Sequence, residues 1–257
     1  MVEIKIGGIK EASTIDYPGE MVSVIFFCQC PFRCPFCQNW SLVQGNDCDS
    51  VPVQEIMKQL DKYRKYITGI CITGGEPTVQ IDGLFELLSE THNRGLLNKL
   101  DTNGFYPERI KKLLSSKLLN YVAIDIKAPF SPERYGKVIG NISIGEKAVK
   151  NVSETLQLLL QFGIPFETRT TIIPTFNDQL QEIEQIAKRL NELHVSRYIL
   201  QQFRASGGTL DKSFAKLPAT KPEVLRELAK LAKKYISDVR IRTIEAGEEK
   251  IEIKEAR

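Results

Sequence analysis

The chain has 257 residues, 42% hydrophobic and 26% charged, which allows one or two domains with a substantial core and excludes collagen, coiled coil and wholesale disorder. Its formal charge of +3 is too weak to argue for nucleic acid. No apolar run reaches the roughly 18–20 residues of a membrane span, and Met1–Lys10 alternates polar and apolar residues rather than opening like a secretory signal, so a cytoplasmic protein is expected.

Gly7-Gly8 suggests an N-terminal hairpin within about residues 1–20. Val22–Cys28 then reads as a first buried strand, followed by a helix with Val53, Ile56, Met57, Leu60 and Tyr63 on one face. Ile67–Thr73 and Leu97–Asp101 are the next strands, and Pro107 suits the first turn of a helix. Tyr121–Lys127 precedes a stripe of Val149, Val152, Leu156, Leu159 and Leu160 that Gly163 stops. Pro165–Thr171 leads to a helix through Leu180, Ile183, Ile186, Ala187, Leu190 and Leu193, with Asp178 placed to cap it. Arg197–Gln202 is the sixth strand, and Pro222 opens a helix through Val224, Leu225, Leu228 and Leu231. Glu245–Arg257 is charge-rich and expected to be a solvated edge. Strand–helix alternation favours parallel strands with right-handed crossovers. About six units are visible, so the expected fold is α/β, a partial (β/α)6 TIM-like barrel with outer helices, the doubly wound sheet being the alternative. A single domain is expected.

All six cysteines (Cys28, Cys30, Cys34, Cys37, Cys48, Cys71) lie in the first third. Clustering of this kind in a cytosolic chain points to a metal rather than to a disulfide framework. Cys30, Cys34 and Cys37 form C-x3-C-x2-C directly after the first strand. Thiolates suit iron–sulfur clusters and zinc. Structural zinc wants four ligands, which would recruit Cys28 or Cys48. Three thiolates on a four-iron cluster instead leave one iron open to a substrate. Cys28 and Cys71 read as inert core residues, and Cys48 has no assignable role. The two histidines, His92 and His194, read as solvated and as a helix-end residue.

Further polar motifs end the other strands. Gly74-Gly75-Glu76 combines close backbone approach with a carboxylate able to accept from an ammonium. Asn103 sits in Asp101-Thr102-Asn103-Gly104, a sequence equally at home in a turn. Asp125 and Lys127 share one strand face, Arg169 follows Glu167 by two residues, and Gln201 ends the sixth strand. Ligands bind at the C-terminal strand edge in parallel barrels and open α/β sheets, so these motifs suggest one site.

The triplet, with Phe36 before its last cysteine, resembles the signature of the radical S-adenosyl-L-methionine (SAM) enzymes. That resemblance implies a single [4Fe-4S] cluster on Cys30, Cys34 and Cys37, with SAM chelating the fourth iron. It further implies one-electron cleavage of SAM to methionine and a 5′-deoxyadenosyl radical. By the same resemblance, Phe36, Gly74, Gly75, Glu76, Asn103, Asp125, Lys127, Arg169 and Gln201 contact SAM. Ser13–Gly19, Asp101–Gly104 and Asp125–Pro129 resemble activating enzymes of glycyl-radical enzymes, above all those of the anaerobic ribonucleotide reductase type. The implied partner is a glycyl-radical enzyme, with an external electron donor of flavodoxin or ferredoxin type and neither membrane nor nucleic acid. Two other readings stand beside it, a radical SAM enzyme acting on a small molecule or a nucleic acid, and a zinc module. Gln29 occupies the position before the first cluster cysteine, where the family commonly has glycine.

Overall fold

The computed structural model describes residues 2–205 and 207–252. They divide into two compact units.

The first unit comprises residues 1–31, 39–123 and 161–165. Its elements are β1 (Glu3–Ser13), β2 (Val22–Phe27), α1 (Trp40–Gln44), β3 (Asp49–Pro52), α2 (Val53–Tyr63), β4 (Gly69–Gly74), α3 (Ile81–Asn93), β5 (Leu97–Thr102), α4 (Pro107–Ser115) and the start of β6 (Tyr121–Asp125). The strand order is β3-β1-β2-β4-β5-β6. β2, β4 and β5 are parallel, while β1 pairs antiparallel with both β2 and β3. Val24, Ile25, Ile70 and Ile72 are wholly buried, as are Ile56, Leu84, Leu87 and Ile110 from the helices. Each such side chain contributes roughly 1.5–3 kcal/mol by leaving water.

The second unit comprises residues 32–38, 124–160 and 166–257. It holds the end of β6, α5 (Pro132–Val138), most of α6 (Gly145–Phe162), β7 (Phe166–Ile172), α7 (Leu180–Glu192), β8 (Arg197–Gln202), α8 (Pro222–Ala232), β9 (Asp238–Thr243) and β10 (Gly247–Lys250). β7, β8 and β9 are parallel and β10 pairs antiparallel with β9. Tyr198, Leu200, Val239 and Ile241 lie buried in the strands, with Val152, Leu156, Ile183, Ile186, Leu225 and Ala229 buried in the helices.

The α/β architecture and all six expected strands are present, and Pro107 and Pro222 stand in first helical turns. Gly163 adopts a φ of +64° just after α6. Several expectations need correction. Gly7-Gly8 is not a hairpin turn. It lies inside β1, where the register slips between Ile6 and Gly8, and Gly8 supplies a φ of +142° to that irregularity. The reversal falls in residues 14–21. Asp178 does not cap α7, because its carboxylate turns back to accept from the Thr175 N–H at 3.0 Å. Leu160 and Leu180 lie at the margins of their apolar stripes, 37% and 47% exposed. The C-terminal tail is not merely a solvated edge, since β10 occupies part of it and Ile251 is buried. Residues 253–257 of that tail lie outside the described residues.

The largest correction concerns the cysteines. Cys28 and Cys48 form a disulfide with a Cα–Cα distance of 6.3 Å. β3 folds back onto β1, so residues 20 apart in sequence become neighbours, which spacing alone does not reveal. Cys71 is buried as expected, but the ammonium of the fully buried Lys99 lies 3.5 Å from its sulfur and is ion-paired with Asp101.

Candidate functional site

In the first unit, the chain leaving β2 takes a left-handed step at Gln29, whose φ is +70°. Glycine would take that conformation freely, which gives the departure at this position a physical meaning. The Gln29 N–H donates to Leu42 O at 2.9 Å, and its carbonyl accepts from the Glu76 N–H at 2.8 Å. Gly74 has a φ of +114°, and the Gly75 N–H donates to Phe27 O at 2.8 Å. A Cβ on Gly74 would strike Phe27 backbone, and one on Gly75 would strike Gln29 O. The close approach that needs these glycines is therefore to the protein's own backbone.

Glu76 is fully buried, and its carboxylate is engaged by protein donors. Oε1 accepts from the Thr78 N–H at 3.0 Å, from the Thr78 hydroxyl and from the Thr102 hydroxyl at 2.9 Å, while Oε2 accepts from the Asn103 N–H at 2.7 Å. Burial raises its pKa, and these hydrogen bonds oppose the rise. The side chain ties the ends of β4 and β5 together. Asn103 is also buried; its Oδ1 accepts from the Phe105 N–H at 3.0 Å and its Nδ2 donates to Cys30 Sγ at 3.6 Å.

In the second unit, Cys34 is buried and its thiol is pushed up to about 12 by burial, with the Lys127 ammonium pulling it down and Cys37 and Asp125 adding to the rise. The Cys34–Cys37 segment is a tight turn closed by Cys37 N–H to Cys34 O at 3.0 Å. It is pinned by Leu210 N–H to Cys37 O and Asp211 N–H to Pro35 O. Phe36 is buried against Phe176 and Phe214, at ring distances of 5.9 and 6.4 Å.

Asp125 and Lys127 form an ion pair at 2.6 Å. Burial disfavours the Lys127 ammonium, but the Asp125 carboxylate and the neighbouring Cys34 and Cys37 sulfurs together outweigh it and hold the pKa above the usual value. Arg169 and the buried Glu167 are paired through the guanidinium. Glu167 also meets Arg242 at 3.4 Å, and Arg242 and Arg240 share Glu248 at 2.6 and 2.7 Å. Asp238 joins Arg240 and Arg197. Gln201 is half-buried and lies in register with Thr171 and Arg242. The strand alternation of Arg240 and Arg242 signals this charged face, which lies on β9, beyond the six expected strands. Lys99 was missed for the opposite reason: a fully buried lysine has no periodic signature.

Each group of expected residues thus has a defined place. Cys30, Asn103 and Glu76 are linked by hydrogen bonds in the first unit, with Gly74 and Gly75 immediately before Glu76 in the chain. Cys34, Cys37, Asp125 and Lys127 interact electrostatically in the second. Cys30, Cys34, Cys37 and Cys71 are outside any disulfide. Among the described residues, no three His, Cys, Asp or Glu side chains converge as a site for a single metal ion. A four-iron cluster asks for something different, soft sulfur donors on separate corners of a cube, and three thiols on one short loop have that chemistry.

Fold and site together describe an α/β protein with a cysteine-bearing loop after its first parallel strand. A model of the Radical SAM superfamily matches residues 24–190. The chain is 37% identical over 239 residues to "Putative glycyl-radical enzyme activating enzyme MJ1227" of Methanocaldococcus jannaschii, covering 93% of this chain and 96% of the relative. It is 25% identical over 200 residues to a pyruvate formate-lyase-activating enzyme of Clostridium pasteurianum, covering 75% and 79%. A radical SAM methyltransferase structure from Sphaerobacter thermophilus shares the fold, with a TM-score of 0.65 at 16% identity, over 90% of this chain and 70% of that one. The chain belongs to the Radical SAM superfamily, and within it to the glycyl-radical-enzyme activating enzymes. Enzymes of this family work with a [4Fe-4S] cluster and SAM. No helix among the described residues is long and apolar enough to cross a membrane.

Proposed function

We propose that this enzyme removes a hydrogen atom from a backbone glycine of a partner glycyl-radical enzyme of the anaerobic ribonucleotide reductase type. The 37% identity over nearly the whole of both chains carries the activating role. The segments Ser13–Gly19, Asp101–Gly104 and Asp125–Pro129 support the reductase type.

In this reading Cys30, Cys34 and Cys37 hold the cluster, and the bound cluster and SAM supply one-electron reductive cleavage of a sulfonium. The balance is one electron, one SAM and one glycine Cα–H giving methionine, 5′-deoxyadenosine and a glycyl radical. Cys34 must lose its proton on loading, and Lys127 eases that loss by favouring the thiolate. Lys127 and Arg169 offer cations to the SAM carboxylate, each held ready by its own acidic neighbour, Asp125 or Glu167. Glu76 shapes the Gly74–Gly75 backbone, whose polar groups serve the SAM ammonium. Asn103, Gln201 and Phe36 complete the proposed contacts. In this reading a one-electron donor of flavodoxin or ferredoxin type completes the system, in the cytoplasm and with no nucleic acid required. The chain acts as a single radical SAM domain in this proposal.

The deciding experiment is anaerobic reconstitution with iron and sulfide, followed by reduction and incubation with SAM and an anaerobic ribonucleotide reductase. A glycyl doublet in the partner's electron paramagnetic resonance (EPR) spectrum is the expected result, and Cys34→Ala should remove both cluster and doublet. SAM cleavage without a doublet on any glycyl-radical enzyme, alongside turnover of a small molecule, overturns the activating role. A colourless protein that takes up only zinc overturns the radical chemistry.

A further inference from the structure

We infer that Asn103 is a positioning residue that donates a hydrogen bond to the Cys30 sulfur and so raises the reduction potential of the cluster. This rests on the reading that Cys30 is a cluster ligand, and goes beyond it by giving Asn103 a role at the sulfur in addition to its proposed SAM contact.

The amide orientation is fixed by its neighbours. Oδ1 accepts from the Phe105 N–H at 3.0 Å, a bond that only the oxygen end can make. Nδ2 therefore faces Cys30 Sγ, 3.6 Å away. The Asn103 backbone N–H is anchored to the Glu76 carboxylate at 2.7 Å, and Gly104, at φ +73°, donates its N–H to Thr102 Oγ1 at 3.1 Å. The residue is 6% exposed, so water competes little for the amide donor. A turn alone would need only the Oδ1 bond, and a serine hydroxyl could supply that. The amide adds a second arm that reaches the sulfur.

Reduction puts one more electron on the cluster and its sulfurs. A donor aimed at a ligating thiolate gains strength as that charge grows, so it favours the reduced form and raises the potential. Asn103→Ser keeps a side-chain oxygen for the Phe105 N–H but is too short to reach Cys30. Thr102→Val removes the hydroxyl that serves Glu76 and the Gly104 N–H, while Asn103 keeps its own bonds to Phe105, Glu76 and Cys30.

The test is an EPR-monitored redox titration of reconstituted enzyme without SAM, with iron and sulfide counted for each variant. Asn103→Ser should assemble a normal cluster whose reduced-to-oxidised ratio at fixed potential falls about tenfold, a shift of roughly 59 mV for one electron. Thr102→Val should leave the midpoint at the wild-type value. Should Asn103→Ser not fold or load, wild-type enzyme carrying 15N-labelled asparagine side chains decides the matter. Electron–nuclear double resonance should then show a weak nitrogen coupling to the reduced cluster, and its absence overturns the inference. A normal Asn103→Ser cluster with an unchanged midpoint overturns the inference alone. A wild-type chain that assembles no [4Fe-4S] cluster overturns the underlying reading and the inference with it.

Discussion

The two units hold their site residues in opposite ways. In the first, Glu76 and Asn103 are buried and satisfied by backbone N–H groups and hydroxyls, and the glycines serve close backbone contacts. In the second, opposite charges stand in contact, from the buried Glu167–Arg169 pair to the partly solvated Asp125–Lys127 and Arg197–Asp238 pairs. The hydrogen-bonded set fixes shape, because a buried acceptor stripped of its donors, or the reverse, pays a full desolvation cost. Asp125–Lys127 keeps charge ready, because a partly solvated pair is worth little to stability and can exchange partners.

Substitutions should break this contrast in a graded way. Glu76→Ala orphans four donors and should cost about 3–5 kcal/mol, seen as a large fall in the urea midpoint. Cys28→Ser opens the disulfide, with a sequence separation of 20, and should cost about 3 kcal/mol in the oxidised, cluster-free protein. Lys127→Ala should cost less than about 1 kcal/mol in stability, yet weaken SAM binding by at least about tenfold with the cluster retained. A large loss of stability there, with unchanged SAM affinity by calorimetry, would reverse the comparison. Gln29→Gly relieves a left-handed glutamine and should gain about 1 kcal/mol, a rise of roughly 2–4 °C in Tm.

A pH slope, which vanishes at neutral pH and shows only in alkali, comes last. Cys34 keeps its proton in the folded, cluster-free protein up to about 12, whereas an unfolded thiol loses it near 8.5. The folded state then binds more protons than the unfolded one, so this contribution is full below about 8.5 and declines as pH rises toward 12. Cys34→Ala should flatten that part of the stability profile.

Much of this was legible in the chain. Buried strands announce themselves as near-continuous apolar runs, and the β4 and β6 positions follow from that rule. The cysteine spacing and Gly74-Gly75-Glu76 marked the site region because those residue types have few other reasons to cluster. β3 was not legible, since Asp49–Pro52 carries no hydrophobic pattern and exists only because β1 offers it an edge. Helix α3 was hidden by Gly83, which a helix pattern disfavours and which Ile4 requires by packing against it.

What the sequence alone determined is chemistry and periodicity: three thiols on one loop, strand–helix alternation, and charged residues at strand ends. Only the tertiary structure decided which atoms those groups address. It turned the Glu76 carboxylate inward, joined Cys28 to Cys48, and aimed the Asn103 amide at Cys30. The reason is that hydrogen bonds and covalent links act over about 3 Å, while sequence spacing fixes distance only within a single element.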